Sequence, residues 1–270
     1  MTSLASTQTS KISLSKNEIH LWQIDPETVT QPHLLKKYQA LLTPDETIKQ
    51  QRYKFEKDRH DALITRAFVR DLLSYYADIA PEKWRFEKGE KDKPEIMSAP
   101  LPLRFNLSHT KNMIICAVTL ADDIGCDVED MTRSNDVLAI ADRYFSPSES
   151  KELFSLPVEQ QRNRFFDYWT LKESYIKAWG LGLAIPLKDF SFIIGQDKSS
   201  TKTNIQCIDG ISLSFAKHRE DTPNLWRSWL FYPNEKHRIA LSVRAKTNNQ
   251  NMDYKIKFFK SLPLSHYQEI

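Results

Sequence analysis

The order of strand-like and helix-like segments constrains this chain more than any single motif. Asn17 to Ile24 reads as a strand and Pro32 to Leu42 as a short helix. Thr43-Pro44-Asp45-Glu46 reads as a second helix start, with a Thr N-cap, Pro at the first position and acids in the first turn. A longer helical pattern follows from Asp58 to Tyr76, with an apolar stripe of Leu63, Phe68, Leu72 and Leu73. Then come three strand-like runs, Leu103 to Leu107, Met113 to Leu120 and Ile124 to Glu129, the last two joined by a turn at Ala121-Asp122-Asp123. Helices are expected at Asp136 to Tyr144, Ser148 to Phe154 and Arg162 to Trp179, the last stopped by Gly180 and Gly182. Strands close the pattern near Phe190–Ile194, Ile211–Ala216, Trp226–Tyr232 and His237–Val243.

This order predicts an α+β protein of two similar halves meeting near Ala121–Asp123. The expected divisions are a polar tail over 1–16, an N-terminal half over 17–122, a C-terminal half over 123–246, and a linker with a basic tail over 247–270. The hexapeptides Gln50–Phe55 and Gln160–Phe165 are alike and each is expected just ahead of a long helix, as a duplication would leave them.

Composition excludes several classes. A net charge of +3 with 27% charged residues is too balanced for a nucleic-acid footprint, and Lys36 to Arg70 interleaves its bases with acids. The longest apolar run, Met113 to Leu120, is too short to cross a bilayer, and no apolar leader follows Met1. Three cysteines without CxxC spacing (Cys116, Cys126 and Cys207) point to a reducing, cytoplasmic setting rather than a disulfide scaffold. Only six glycines are present and neither GxxxxGK[ST] nor GxGxxG occurs. Any phosphate must therefore be held by side chains, a metal or helix ends.

Three segments can carry chemistry. In Gly125-Cys126-Asp127-Val128-Glu129 a strand puts Asp127 and Glu129 on one face, near enough for both carboxylates to reach one cation. In Trp169 to Lys177 a helix puts Trp169, Glu173 and Lys177 on one face at i, i+4 and i+8. In Phe105-Asn106-Leu107-Ser108-His109 the adjacent Ser and His point opposite ways on an extended segment, so they suit ligand contacts better than a proton-sharing pair. Each alone also has an ordinary structural reading: a solvated acidic face, a helical ion pair, a packed histidine.

Together, in this order and spacing, the three resemble the 4′-phosphopantetheinyl transferases of the surfactin-synthetase-activating type, over about Leu42 to Val243. That family carries F-N-x-S-H, G-x-D-x-E and W-x-x-K-E-x-x-x-K. The resemblance implies two α+β halves related by a pseudo-twofold axis, with the active site in the cleft between them. It implies transfer of the 4′-phosphopantetheine arm of coenzyme A to a serine of an apo acyl or peptidyl carrier protein, releasing 3′,5′-ADP. By position, Asp127, Glu129 and Glu173 would hold Mg²⁺, with Mn²⁺ an allowed substitute, and Lys177 would meet the coenzyme A phosphates. Ser108, His109, Lys93, Lys49 and Arg59 would meet its adenosine 3′-phosphate end. The carrier serine would lose its proton to Glu173 or to a metal-bound water. Asp92 and Thr110 depart from the glycine and serine usual beside the lysine and histidine motifs, and Asp61 stands where the family has an arginine. A monomer is expected, with no nucleic-acid or membrane partner. The rival reading, a catalytically silent carrier-binding protein, has no need of all three carboxylates with Lys177.

Overall fold

In the computed structural model, which describes residues 11–89, 93–134, 136–195, 199–200, 205–246 and 253–270, the chain opens with β1 (Glu18–Ile24), α1 (Pro32–Leu41), α2 (Pro44–Gln51) and α3 (Glu56–Ser74). The short β2 (Phe86–Lys88) and β3 (Pro94–Ile96) precede β4 (Leu103–Thr110), β5 (Met113–Leu120) and β6 (Asp123–Asp130). Next are α4 (Val137–Tyr144), α5 (Pro147–Ser155) and α6 (Val158–Trp179). The remaining strands are β7 (Phe190–Ile194), β8 (Ser199–Ser200), β9 (Gln206–Ile208), β10 (Ile211–Phe215), β11 (Trp226–Tyr232), β12 (His237–Arg244), β13 (Lys255–Leu262) and β14 (His266–Glu269).

The helix starts follow the capping chemistry of the sequence. Thr43 with Glu46, and Ser146 with Glu149, form reciprocal capping boxes at α2 and α5. Gly180, at φ 78°, ends α6 in the left-handed region where a side chain would be strained. The hexapeptides do not occupy equivalent places: Gln50–Phe55 leaves α2 and enters the turn before α3, whereas Gln160–Phe165 lies within α6, whose start is Val158.

Two five-stranded sheets form the centre, in the orders β14-β13-β1-β5-β4 and β6-β12-β11-β9-β8. The chain crosses from the first to the second at Ala121, whose φ is 66°. Alternation sorts the side chains between layers. Even positions of β5 (Ile114, Cys116, Val118) join a core with Leu63, Phe68 and Leu72 of α3. Its odd positions (Met113, Ile115, Ala117) join a core between the sheets, with Cys126 and Val128 of β6 and Ile239 and Leu241 of β12. A third core lies under α4–α6, around Phe165, Leu171 and Tyr175. Each half thus sets a sheet against a long helix, consistent with the pseudo-twofold plan.

The segment read as a basic tail is structural: β13 runs parallel to β1, from Glu18 opposite Lys255 to Gln23 opposite Lys260, and β14 folds back on β13. Phe259 stacks on Trp22 with ring centroids 4.5 Å apart, and Tyr38 donates to the Pro263 carbonyl at 2.8 Å. Residues 247–252 of the expected linker and 1–10 of the expected tail lie outside the described residues. Of the described part, Ile12 N–H donates to Tyr75 and the Lys11 ammonium to Ala77, so it is docked on the end of α3. Cys116, Cys126 and Cys207 are buried and unpaired. No helix among the described residues is long and apolar enough to cross a membrane.

Candidate active site

The site begins with a missing side chain. A Cβ built on Gly125 would stand 2.0 Å from the Ser174 carbonyl oxygen and 2.3 Å from the Ala178 nitrogen. The absence of that atom lets α6 lie directly on β6. Asp127 and Glu129, on the face of β6 opposite Cys126 and Val128, then meet the face of α6 that carries Trp169, Glu173 and Lys177.

The second fixture is the joint between β4 and β6, neighbouring strands of different sheets with no ladder between them. Side chains of β4 replace the ladder. Asn106 Oδ1 accepts from the Cys126 N–H at 2.9 Å, and two residues on Ser108 Oγ accepts from the Val128 N–H at 3.3 Å. The Cys126 thiol donates back to the Asn106 carbonyl. Bonding the edge of β6 in this way fixes the strand that carries the acids. Asn106 was not among the expected site residues; its place in F-N-x-S-H was the only signal.

Asp127 is 4% exposed. Its Oδ1 accepts from Lys177 Nζ at 2.6 Å and from Ser108 Oγ at 2.9 Å, and Lys177 also reaches Ser108 Oγ at 2.8 Å. Asp127 Oδ2 is buried without a hydrogen-bond partner. Glu129 accepts from the Trp169 indole at 3.1 Å on Oε1 and pairs with the Arg133 guanidinium at 2.9 Å on Oε2. Arg133 also donates to Thr110 Oγ1 at 2.8 Å. Sequence reasoning missed Arg133, which stands on the irregular turn after β6 where no periodicity aims a side chain.

Burial, reinforced by the Asp127 charge, raises the Glu129 and Glu173 carboxyls to about 7. Burial would depress Lys177, but Asp127 outweighs it and leaves the ammonium above its ordinary range. His109 points outward, with partial desolvation and the Lys177 and Arg133 cations holding its imidazole below the usual value. Asp61 on α3 acts on that ring in the opposite sense, so the start of α3 lies within electrostatic reach of His109. Among the described residues no group of three or more His, Cys, Asp or Glu is already arranged to hold a metal.

Other expected residues lie apart from this cluster. Lys93 Nζ donates to the carbonyls of Lys177 at 2.7 Å, Ala178 at 3.2 Å and Ile124 at 3.3 Å. Burial lowers its pKa to about 8. It therefore ties the C-terminal end of α6 to the start of β6, where cations suit the helix dipole. Arg59 donates to the Tyr53 and Lys54 carbonyls, and Lys49 is exposed on α2. Asp92 lies outside the described residues, while Thr110 serves as the acceptor for Arg133. Lys172, inside the W-x-x-K-E segment, is fully buried and paired with Glu149 at 2.8 Å, away from the acids. A cleft of 1480 Å³ opens at one end of the two sheets, between Lys111, Asp130, His237 and Lys260, and its lining contains none of the expected site residues.

Comparison with known proteins gives this geometry a context. Residues 123–242 match the 4′-phosphopantetheinyl transferase superfamily, and residues 29–121 match the 4′-phosphopantetheinyl transferase N-terminal family. The chain is 36% identical over 176 residues to the 4′-phosphopantetheinyl transferase HetI of Nostoc sp., covering 64% of this chain and 73% of that protein. It is 31% identical over 187 residues to the 4′-phosphopantetheinyl transferase Sfp of Bacillus subtilis, covering 69% of this chain and 80% of that protein.

Proposed function

This chain belongs to the 4′-phosphopantetheinyl transferases, which act on carrier proteins with coenzyme A, and from that premise we propose that its transfer is Mg²⁺-dependent and centred on Asp127, Glu129 and Glu173. The observation that carries this reading is the buried, unpartnered Asp127 Oδ2 beside two carboxyls raised to about 7. Crowded acids held on rigid elements, with an oxygen left over, fit a hard divalent cation. The ion would supply neutralising charge for the diphosphate and for the 3′,5′-ADP that leaves.

The chain's own residues do the rest. A carrier serine hydroxyl attacks the β-phosphorus of coenzyme A. The bond from that phosphorus to the oxygen bridging to 3′,5′-ADP breaks, and the serine proton passes to a carboxylate. Glu173 suits that role because it stands on the face of α6 that meets Asp127, one turn before Lys177. Lys177 stands beside Asp127 to balance charge on the transferred phosphate. His109, with Lys49 and Arg59 on the preceding helices, is assigned to the adenosine end, whereas Ser108 is held among the acids by Asp127 and Lys177. The first half thus takes the nucleotide and the second the reacting phosphate. Lys93, satisfied by three carbonyls, contributes by holding the end of α6.

The test is intact-mass measurement of apo acyl and peptidyl carrier proteins incubated with the chain, coenzyme A and Mg²⁺. A gain of one phosphopantetheine that EDTA abolishes is expected. Transfer that persists undiminished in EDTA would refute the metal reading.

A further inference from the structure

Each strand carboxylate of the proposed metal site already has a cation of the chain's own. Lys177 lies 2.6 Å from Asp127 Oδ1 and Arg133 lies 2.9 Å from Glu129 Oε2. The two cations differ in how they are held. Lys177 is largely covered, anchored to Ser108 as well as Asp127, and set on the last turns of α6. Arg133 has a side chain 47% exposed on a turn whose backbone is pinned: the Thr132 N–H bonds Asp130, and Arg162 donates to the Met131 and Arg133 carbonyls. Its guanidinium also bonds Thr110, next to His109, so it stands between the acids and the residues assigned to the nucleotide.

We infer that Arg133 and Lys177 are resident counter-ions of Glu129 and Asp127, released when the divalent cation enters and taken up by the diphosphate of coenzyme A. The inference rests on the metal reading above. Without ligand, four opposite charges close on one another in a half-buried site, which spares the chain two bare buried carboxylates. A cation arriving alone competes with two ion pairs for the same carboxylates. Arriving with a diphosphate, it gives the two freed cations new anionic partners, bidentate in the case of Arg133. Metal and coenzyme A then bind with positive coupling that belongs to the protein, in addition to their attraction for one another.

The experiment is Mn²⁺ binding to the full chain, followed by electron paramagnetic resonance of the free ion, with and without saturating coenzyme A. Without coenzyme A, Arg133→Gln should bind Mn²⁺ about two- to five-fold more tightly than wild type, the range expected for losing one partly exposed competing pair. Lys177→Met, which removes a buried charge-assisted competitor, should bind about ten-fold more tightly or better. Arg133→Lys, which keeps the positive charge, should return to near the wild-type value. With coenzyme A present the advantage of the neutral variants should vanish or reverse, because they lose a phosphate partner. Equal or weaker Mn²⁺ binding by both neutral variants in the absence of coenzyme A overturns the counter-ion role while leaving the metal site standing. A wild-type chain that binds no Mn²⁺ in either condition refutes the metal site itself, and the inference with it.

Discussion

Gly125 and His20 show how much a single position decides. The atoms a Gly125→Ala methyl would strike belong to the backbone of α6, so the helix must retreat rather than a side chain turn aside. Overpacking of this kind costs about 1–3 kcal/mol. Moving Glu173 and Lys177 away from Asp127 should cost on the order of 100-fold in transfer rate. Thermal melting together with intact-mass kinetics checks both, and wild-type rates would show that the close approach is dispensable. Asp127→Ala should instead lower transfer by about 10²–10³-fold, and because it leaves Lys177 and Ser108 without their shared acceptor the melting temperature should fall as well.

His20 is buried between Tyr76, whose hydroxyl lies 2.8 Å from Nδ1, and Phe259. Desolvation lowers its pKa to about 4. Between about pH 6.5 and 4 the unfolded chain therefore takes up a proton that the folded chain refuses, so His20 costs stability as pH falls through that window. The full effect, on the order of 3 kcal/mol at pH 4, should be missing from His20→Gln, which cannot titrate. Glu129 and Glu173 have raised pKa values and act in the opposite sense below pH 7, so the difference between variant and wild type is the quantity to follow. Parallel melting curves for the two proteins from pH 7 to pH 4 would show that His20 is not the source.

At the scale of elements, α6 has three surfaces with three duties. One faces the acids of β6. Another sends Lys172 into the core, where its ammonium bonds Glu149 and the Leu187 and Phe190 carbonyls and lies 4.2 Å from the Phe190 ring centroid. The end of the helix is held by Lys93. Lys172→Ala leaves the Glu149 carboxylate buried without its charge partner and should destabilise the fold by about 3–5 kcal/mol in urea unfolding. Transfer per folded molecule should remain near wild type, since Lys172 contacts neither the acids nor Lys177. A large loss of rate in fully folded protein would contradict this division of labour.

The elements also mark what could be read in advance. Period two on β6 and period 3.6 on α6 are carried by side-chain type, so the shared face of Asp127 and Glu129, and that of Trp169, Glu173 and Lys177, were legible. Partners that are backbone atoms leave no trace in the letters. Asn106 bonds a peptide N–H and Lys93 bonds three carbonyls, so neither bonding role could be foreseen. Arg133 sits in an irregular turn, where spacing says nothing about direction. β13 escaped notice because Phe258 and Phe259 are its adjacent well-buried apolar residues among lysines, without the alternation of a half-buried strand.

For the whole molecule, β13 and β14 complete the first sheet from beyond the matched family regions, which end at residue 242. Removing Phe259 should loosen the aromatic stack that includes Trp22, Tyr75 and Tyr267. Phe259→Ala is expected to cost about 3–5 kcal/mol, with the remaining folded molecules keeping their transfer rate. Calorimetry with activity normalised to the folded fraction decides it; an unchanged melting temperature would mean that the strand merely leans on the sheet.

The same pairing has a meaning in time. A ribosome makes β1 among the first segments of this chain, but its parallel neighbour, opposite Glu18 at Lys255, emerges only after the whole second half has been synthesised. At about 5–20 residues per second that interval is on the order of ten to fifty seconds. Throughout it, one side of β1 offers open hydrogen-bonding groups to any passing strand. The nascent chain is thus most exposed to mispairing while its second half is being made, and the last strands to emerge close the first sheet to be started.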